Sequence, residues 1–217
     1  MTELVQEHIP QGVIERLPTY LSALLQLRHD GSSTASSAQL SELTDVNAAQ
    51  IRRDLAYFGS FGKRGVGYDV GVLIERIQRI LGSDHSHRIA LVGAGNLGSA
   101  IASYDGFNAR GFQIAALFDN DPGKVGSRVG DLVVRDIGDL ARLAKQQNIR
   151  FGVVAVPSDA AQDVVDAMVD AGIKVILNYT PSHVTVPDDC RVHNTDPVRE
   201  LLHTLYYLSR AEALAGA

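Results

Sequence analysis

Ile89-Ala90-Leu91-Val92-Gly93-Ala94-Gly95-Asn96-Leu97-Gly98 runs from four apolar residues directly into a Gly-x-Gly-x-x-Gly turn. An unbroken apolar run suits a strand buried on both faces, and the residues from about Leu97 read as a helix. That context makes the glycine pattern specific. Gly93 permits the tight turn, Gly95 lets the backbone approach a diphosphate, and Gly98 lets the helix lie close on the strand. The turn residues Gly93, Ala94, Gly95, Asn96, Leu97 and Gly98 therefore form a candidate dinucleotide site, with the free N–H groups of the helix start facing the phosphates. Asp119 ends the next apolar run, 21 residues after Gly98. A carboxylate at that spacing accepts hydrogen bonds from the adenine-ribose hydroxyls. No arginine stands in Asp119-Asn120-Asp121-Pro122 to receive a 2′-phosphate, so the expectation is NADH or NAD rather than NADP. A vestigial turn, or a coenzyme A ligand that does not need Asp119, is the alternative.

Working outward, strands at Ile114 to Phe118, Phe151 to Val156 and Val175 to Leu177 alternate with helices at Ile137 to Gln147 and Ala160 to Ala171. Strict alternation predicts a doubly wound parallel sheet with helices on both faces. The ends of two of these strands, Val156-Pro157 and Asn178-Tyr179-Thr180, are expected beside the nicotinamide. A last helix runs from Asp196 to about Leu214.

Residues 82–87, Gly-Ser-Asp-His-Ser-His, separate this half from one with a different, helical period. The expected organisation is a domain over 1–81, a linker over 82–87, a nucleotide-binding domain over 88–195 and a terminal helix over 196–217. In the first domain the apolar spacing of Val13, Leu17, Tyr20, Leu21 and Leu24 predicts a helix that Pro18 should kink or split. Ser36 with Gln39 is a capping-box pair, Thr44-Asp45-Val46 a turn, and Asn47 a second helix start. Ile51, Leu55 and Phe58 then give that second helix one buried stripe. Helical geometry turns Arg53 outward and puts Gln50, Arg52 and Tyr57 at the flanks. Residues 61–68 read as a hairpin with Lys63-Arg64 at its tip, followed by a helix at Val72 to Leu81.

The 217 residues are 45% apolar and 21% charged, with a net charge of −5. That excludes a protein that coats nucleic acid by bulk positive charge. Between Val46 and Tyr68, however, Arg52, Arg53, Lys63 and Arg64 stand against Asp54 alone, a local excess of three positive charges. A short helix, a tight turn, a basic helix and a basic wing are the parts of a winged helix-turn-helix that enters a major groove. Arginine matches guanine O6 and N7 there, and glutamine matches adenine N6 and N7. Asn47, Gln50, Arg52, Arg53, Tyr57, Lys63 and Arg64 are the candidate contacts to double-stranded DNA.

An oxidoreductase is the competing class. Against it, the 130 residues from Arg88 to Ala217 suffice for one nucleotide-binding core and leave no substrate domain. His183, His193 and His203 have no partnered carboxylate at a recognisable catalytic spacing. Cys190 is the only cysteine, so it forms no internal disulfide and no cysteine-rich metal site, and it reads as unreactive. The residues from Met1 to Pro10 lack the pattern of a secretory signal, and no run of ~18 apolar residues is present. A cytoplasmic protein is expected.

Three blocks, Gln50 to Gly59, Phe61 to Tyr68 and the Gly93 to Gly98 turn, resemble the Rex redox-sensing transcriptional repressors of bacteria, as do Val175 to Asn178 and Pro181. The resemblance covers about Ile9 to Leu208, with Arg53 standing where lysine is common. It implies a winged-helix domain, a Rossmann-like domain, and a homodimer whose last helix crosses between the two domains of the partner. It further implies a repressor of fermentation and anaerobic-respiration genes, bound to an A·T-rich pseudo-palindromic operator with NAD and released by NADH. Finally, it implies an interdomain switch at the positions Arg16, Tyr104 and Asp196.

Overall fold

The computed structural model describes residues 9–59, 62–63, 67–199, 201–202 and 204–205. The chain divides into two compact units, with the boundary between His85 and Ser86. In the first unit, helix α1 (Gln11–His29) precedes strand β1 (Thr34–Ala35), α2 (Ser37–Thr44), α3 (Ala48–Ala56), β2 (Gly62–Lys63), β3 (Gly67–Asp69) and α4 (Val70–Leu81). The core is made by Leu17, Tyr20 and Leu24 of α1 against Leu40, Ile51, Leu55, Leu73 and Ile77, all buried.

Sequence signals placed most of these ends. Ser36 accepts from the Gln39 N–H while the Gln39 side chain accepts from the Ser36 N–H, a complete capping box. Asn47 caps α3 by accepting from the Ala49 N–H at 2.7 Å. Pro18 does not split α1, which is one helix. Pro18 lies on the exposed side, where the disturbed backbone can turn to water, while Leu17 and Tyr20 anchor the opposite face. The expected hairpin is β2 paired antiparallel with β3. An unexpected strand, β1, pairs with the other edge of β3; two residues are too few to carry a period.

The second unit contains β4 (His87–Val92), α5 (Asn96–Ala102), β5 (Phe112–Asp119), β6 (Arg128–Val129), β7 (Leu132–Asp136), α6 (Leu140–Gln146), β8 (Phe151–Val154), α7 (Ala161–Asp170), β9 (Val175–Asn178) and β10 (Arg191–Asn194). One seven-stranded sheet has the order β10-β9-β8-β4-β5-β7-β6. Every pair is parallel except β6 with β7. Alternate residues of β4 feed two cores. Ala90 and Val92 join the face covered by α6 and α7, and Ile89 and Leu91 join the face of Ile101 in α5. That is the doubly wound arrangement the alternation predicts. Strands β6, β7 and β10 were absent from the sequence reading; two of them lie at the sheet edges, where charged residues interrupt the apolar run. Residues 197–199, 201–202 and 204–205 are helical, and the remainder of the expected last helix lies outside the described residues. Among those described, no helix is long and apolar enough to cross a membrane.

Candidate cofactor site and nucleic-acid interface

Strand order reverses between β8 and β4, and doubly wound sheets open a crevice at such a point, beyond the strand ends. A cavity of about 660 Å³ lies there, lined by Val92, Gly93, Gly95, Asp119, Val156 and Pro157 among others. Gly93 has φ +106°, and a β-carbon on it would come 2.2 Å from the Ala155 carbonyl oxygen. A β-carbon on Gly98 would come 1.7 Å from the Gly93 oxygen, so helix and turn touch through glycine alone. Gly95 differs, because its β-carbon would meet nothing within 4 Å. Its backbone faces open space in the cavity. A missing side chain that packing does not require fits a site where a diphosphate approaches the main chain.

Asp119 closes β5 and is only 6% exposed. Its Oδ2 accepts from the Ala94 N–H at 2.7 Å and its Oδ1 from the Asp121 N–H at 2.9 Å. The Lys124 ammonium stands 3.1 Å from the same carboxylate. Burial pushes the Asp119 carboxyl up, but the Asp121 and Ala94 N–H groups and Lys124 together hold it below the ordinary carboxylate range. It is ionised, and it ties the glycine turn to the next strand. No arginine directly follows Asp119, but Lys124 partly offsets its negative charge. Lys124, Asp121, Ile137 and Gly138 all line the cavity. The first two follow Asp119 closely in sequence, whereas Ile137 and Gly138 follow β7, a strand that sequence reading missed.

Val156 and Pro157 line the cavity, whereas Asn178 and Thr180 are not among its lining residues. Both are buried. The Asn178 amide oxygen accepts from the Thr180 N–H and hydroxyl at 3.0 and 2.8 Å, and its amide nitrogen donates to Asn194 at 2.9 Å. They brace the loop after β9 against β10. Tyr179 packs half-buried on the α5 side of the sheet. Burial pushes the Cys190 thiol up, which disfavours the reactive thiolate.

In the first unit, Arg52 and Arg53 are exposed on α3, and Tyr57 is exposed at its C-terminal cap. Arg52 donates to the Ser37 hydroxyl on α2 at 2.9 Å, which joins the two helices of the motif. Gln50 is partly buried at the flank of the helix: its amide nitrogen donates to Asp54 at 2.7 Å and its oxygen accepts from Arg53 at 2.6 Å. Arg64 lies outside the described residues, and only the backbone of Lys63 is described.

The three positions implied as a switch have distinct surroundings. Arg16 donates through Nε and Nη2 to Asp54 at 2.7 and 2.9 Å. Tyr104 is 60% exposed, with its ring edge-on to Phe107. Asp196 accepts from the Val198 N–H at 3.0 Å, capping the last helix. Sequence reading missed the role of Asp54, although a signal existed. It shares the helical stripe of Ile51, Leu55 and Phe58, where a carboxylate needs a buried cation.

A model of the CoA binding domain matches residues 84–182, and one of a putative DNA-binding protein N-terminus matches residues 8–56. The redox-sensing transcriptional repressor Rex of Chloroflexus aurantiacus is 47% identical over 203 residues, covering 94% of this chain and 96% of that one. The chain belongs to the Rex family. That relative is named a redox-sensing transcriptional repressor. Crystal structures of the Rex-family repressor RSP share the fold. The complex with β-NAD+ and operator DNA matches with TM-score 0.86 and 37% identity over 97% of both chains. The complex with β-NADH matches with TM-score 0.85 and 35% identity over 97% of this chain and 99% of that one.

Proposed function

We propose that this chain is a cytoplasmic, homodimeric repressor that holds an A·T-rich pseudo-palindromic operator through α3 and the wing and is released by NADH. The domains are assigned as 1–81 for DNA, 88–195 for NAD(H), and 196–217 for dimerisation. The observation that carries this reading is the pairing, in one chain, of a basic helix-turn-helix with a glycine-floored cavity beside an ionised Asp119. The RSP complexes with NADH and with NAD+ and operator DNA support both halves of the reading.

On α3, Arg53 is assigned to a base edge, with Gln50, Arg52, Asn47 and Tyr57 around it and Lys63 and Arg64 on phosphate or in the minor groove. Gly93 to Gly98 face the diphosphate, Asp119 the adenine ribose, and Val156, Pro157 and the Asn178 to Thr180 loop the nicotinamide end. When bound, NAD(H) supplies a ring whose charge and planarity change on reduction. Since the diphosphate is common to both forms, the turn binds without discriminating, and the strand ends near Val156 discriminate. Val198, Leu201, Leu202 and Leu205 are all more than half exposed, an apolar helix face suited to crossing into a partner subunit. Exchange of contacts by Arg16, Tyr104 and Asp196 then alters the spacing of the two recognition helices, which the duplex repeat fixes.

A gel shift on A·T-rich palindromic duplex, repeated with NADH, NAD and NADPH, tests the reading. NADH is expected to abolish the shift and NAD to preserve it. Retardation that ignores all three nucleotides, or NADH turnover without DNA binding, would reject it.

A further inference from the structure

The Asp54 carboxylate is fully buried, and four donors converge on it. Besides the two N–H groups of Arg16, the Tyr20 hydroxyl donates at 2.6 Å and the Gln50 amide at 2.7 Å. The contacts do not end in the core. Gln50 accepts from Arg53 at 2.6 Å on the exposed side of α3. One unbroken chain of hydrogen bonds thus runs from α1, through a buried carboxylate, to the arginine assigned to a base edge. A buried ion pair is weak evidence for stability, since apolar side chains of similar size pack as well or better. Its geometry, by contrast, is specific. Asp54 can accept from Gln50 only with that amide turned inward along the helix, and the amide oxygen is then left to hold the Arg53 guanidinium.

We infer that Asp54 is a positioning residue for operator recognition: through Gln50 it preorganises Arg53, and through Arg16 it makes that arrangement depend on α1. The inference rests on the DNA-binding reading above. A side chain already held in its bound conformation loses less freedom on binding, so the effect belongs to sequence-specific recognition and not to phosphate contact. Because Arg16 supplies two of the four donors, any state in which Arg16 turns away leaves Asp54 underpaired and Gln50 free to reorient toward it. This ties the first helix to the specificity of the third.

The test uses the full-length protein and the duplex that the wild type enriches from a randomised pool, with a scrambled duplex as control. Asp54→Asn preserves shape and removes the charge. Expected is about a tenfold loss of affinity for the selected duplex, with scrambled-DNA and NADH affinities unchanged, and relaxed preference at the same base pairs that Arg53→Ala relaxes. Combined with Arg53→Ala, Asp54→Asn should add little further loss, as expected of residues acting in one chain of contacts. Arg16→Lys, which keeps a cation but cannot grip both oxygens in parallel, should relax the same base pairs to a smaller extent. Should Asp54→Asn unfold, this second variant carries the test. Equal losses on selected and scrambled DNA, or an unchanged base preference in the folded variants, would make Asp54 a structural prop and overturn the inference. A wild-type protein that enriches no sequence would instead overturn the DNA-binding reading and the inference with it.

Discussion

Asp54 and Asp119 are both carboxylates almost removed from water, one at 0% and the other at 6% exposure, yet they are built in opposite ways. Asp119 is held largely by backbone N–H groups, from Ala94 and Asp121, at the lip of a cavity. Asp54 is held entirely by side chains, from Arg16, Tyr20 and Gln50, inside a helical core. Backbone donors are fixed by the turn, whatever the surrounding side chains. Side-chain donors can be exchanged. The first arrangement suits a permanent ligand site and the second suits a contact that differs between states.

Removing each carboxylate should therefore have different consequences. Asp54→Ala leaves the Arg16 guanidinium and a buried Tyr20 hydroxyl without their shared acceptor; with 31% of the Arg16 side chain in contact with water, the loss should be about 1–3 kcal/mol. Urea unfolding of the first unit should show that loss; a change below 1 kcal/mol would mean that solvent reaches Arg16 freely. Asp119→Ala removes charge-assisted bonds of about 1.5–3 kcal/mol each, but its clearest effect falls on ligand choice. Calorimetry should show the preference for NADH over NADPH reduced, with Lys124 released to meet a 2′-phosphate. Unchanged relative affinities would place the ribose elsewhere.

The legibility of the two carboxylates also differed. Asp119 was found because a ligand's dimensions fix its distance from the glycine turn. The parallel sheet and the four helices of the first unit were found because each carries a period of its own. Asp54 counts in the sequence as a negative charge among basic neighbours; its place on the apolar stripe of Ile51, Leu55 and Phe58 marks it as buried, but the stripe does not say which cation pairs with it. Its partners Arg16 and Tyr20 lie 38 and 34 residues away, and only packing brings them together. Lys124 stands five residues beyond Asp119, and no ligand dimension fixes the position of a counter-charge in the way it fixes the carboxylate.

On the DNA side, Arg53→Ala should cost about 1–3 kcal/mol on specific sequence and almost nothing on random DNA. Lys63→Ala should weaken both alike and flatten the salt dependence by about one in slope. Anisotropy titrations at several salt concentrations separate the two, and equal losses for Arg53→Ala on both duplexes would remove its base-reading role. The smallest expected effect is on acid stability. Burial raises both carboxyls, but their donors outweigh it and hold them below the ordinary 3.8. Their stabilisation is thus complete above that value and is lost as pH falls through the folded-state values. Asp54→Asn should make the loss of stability between about pH 5 and 2 shallower. An acid limb as steep as in the wild type would mean that Asp54 titrates normally.

Release by NADH requires linkage between nucleotide and DNA binding: NADH can displace DNA only by binding the DNA-incompetent state more tightly, and the coupling is reciprocal. The direct measurement is the Kd for NADH with and without saturating selected duplex, beside the Kd for that duplex with and without saturating NADH. Duplex should weaken NADH by the same factor by which NADH weakens duplex, and NAD should show no such penalty. An NADH affinity indifferent to bound duplex would contradict this linkage.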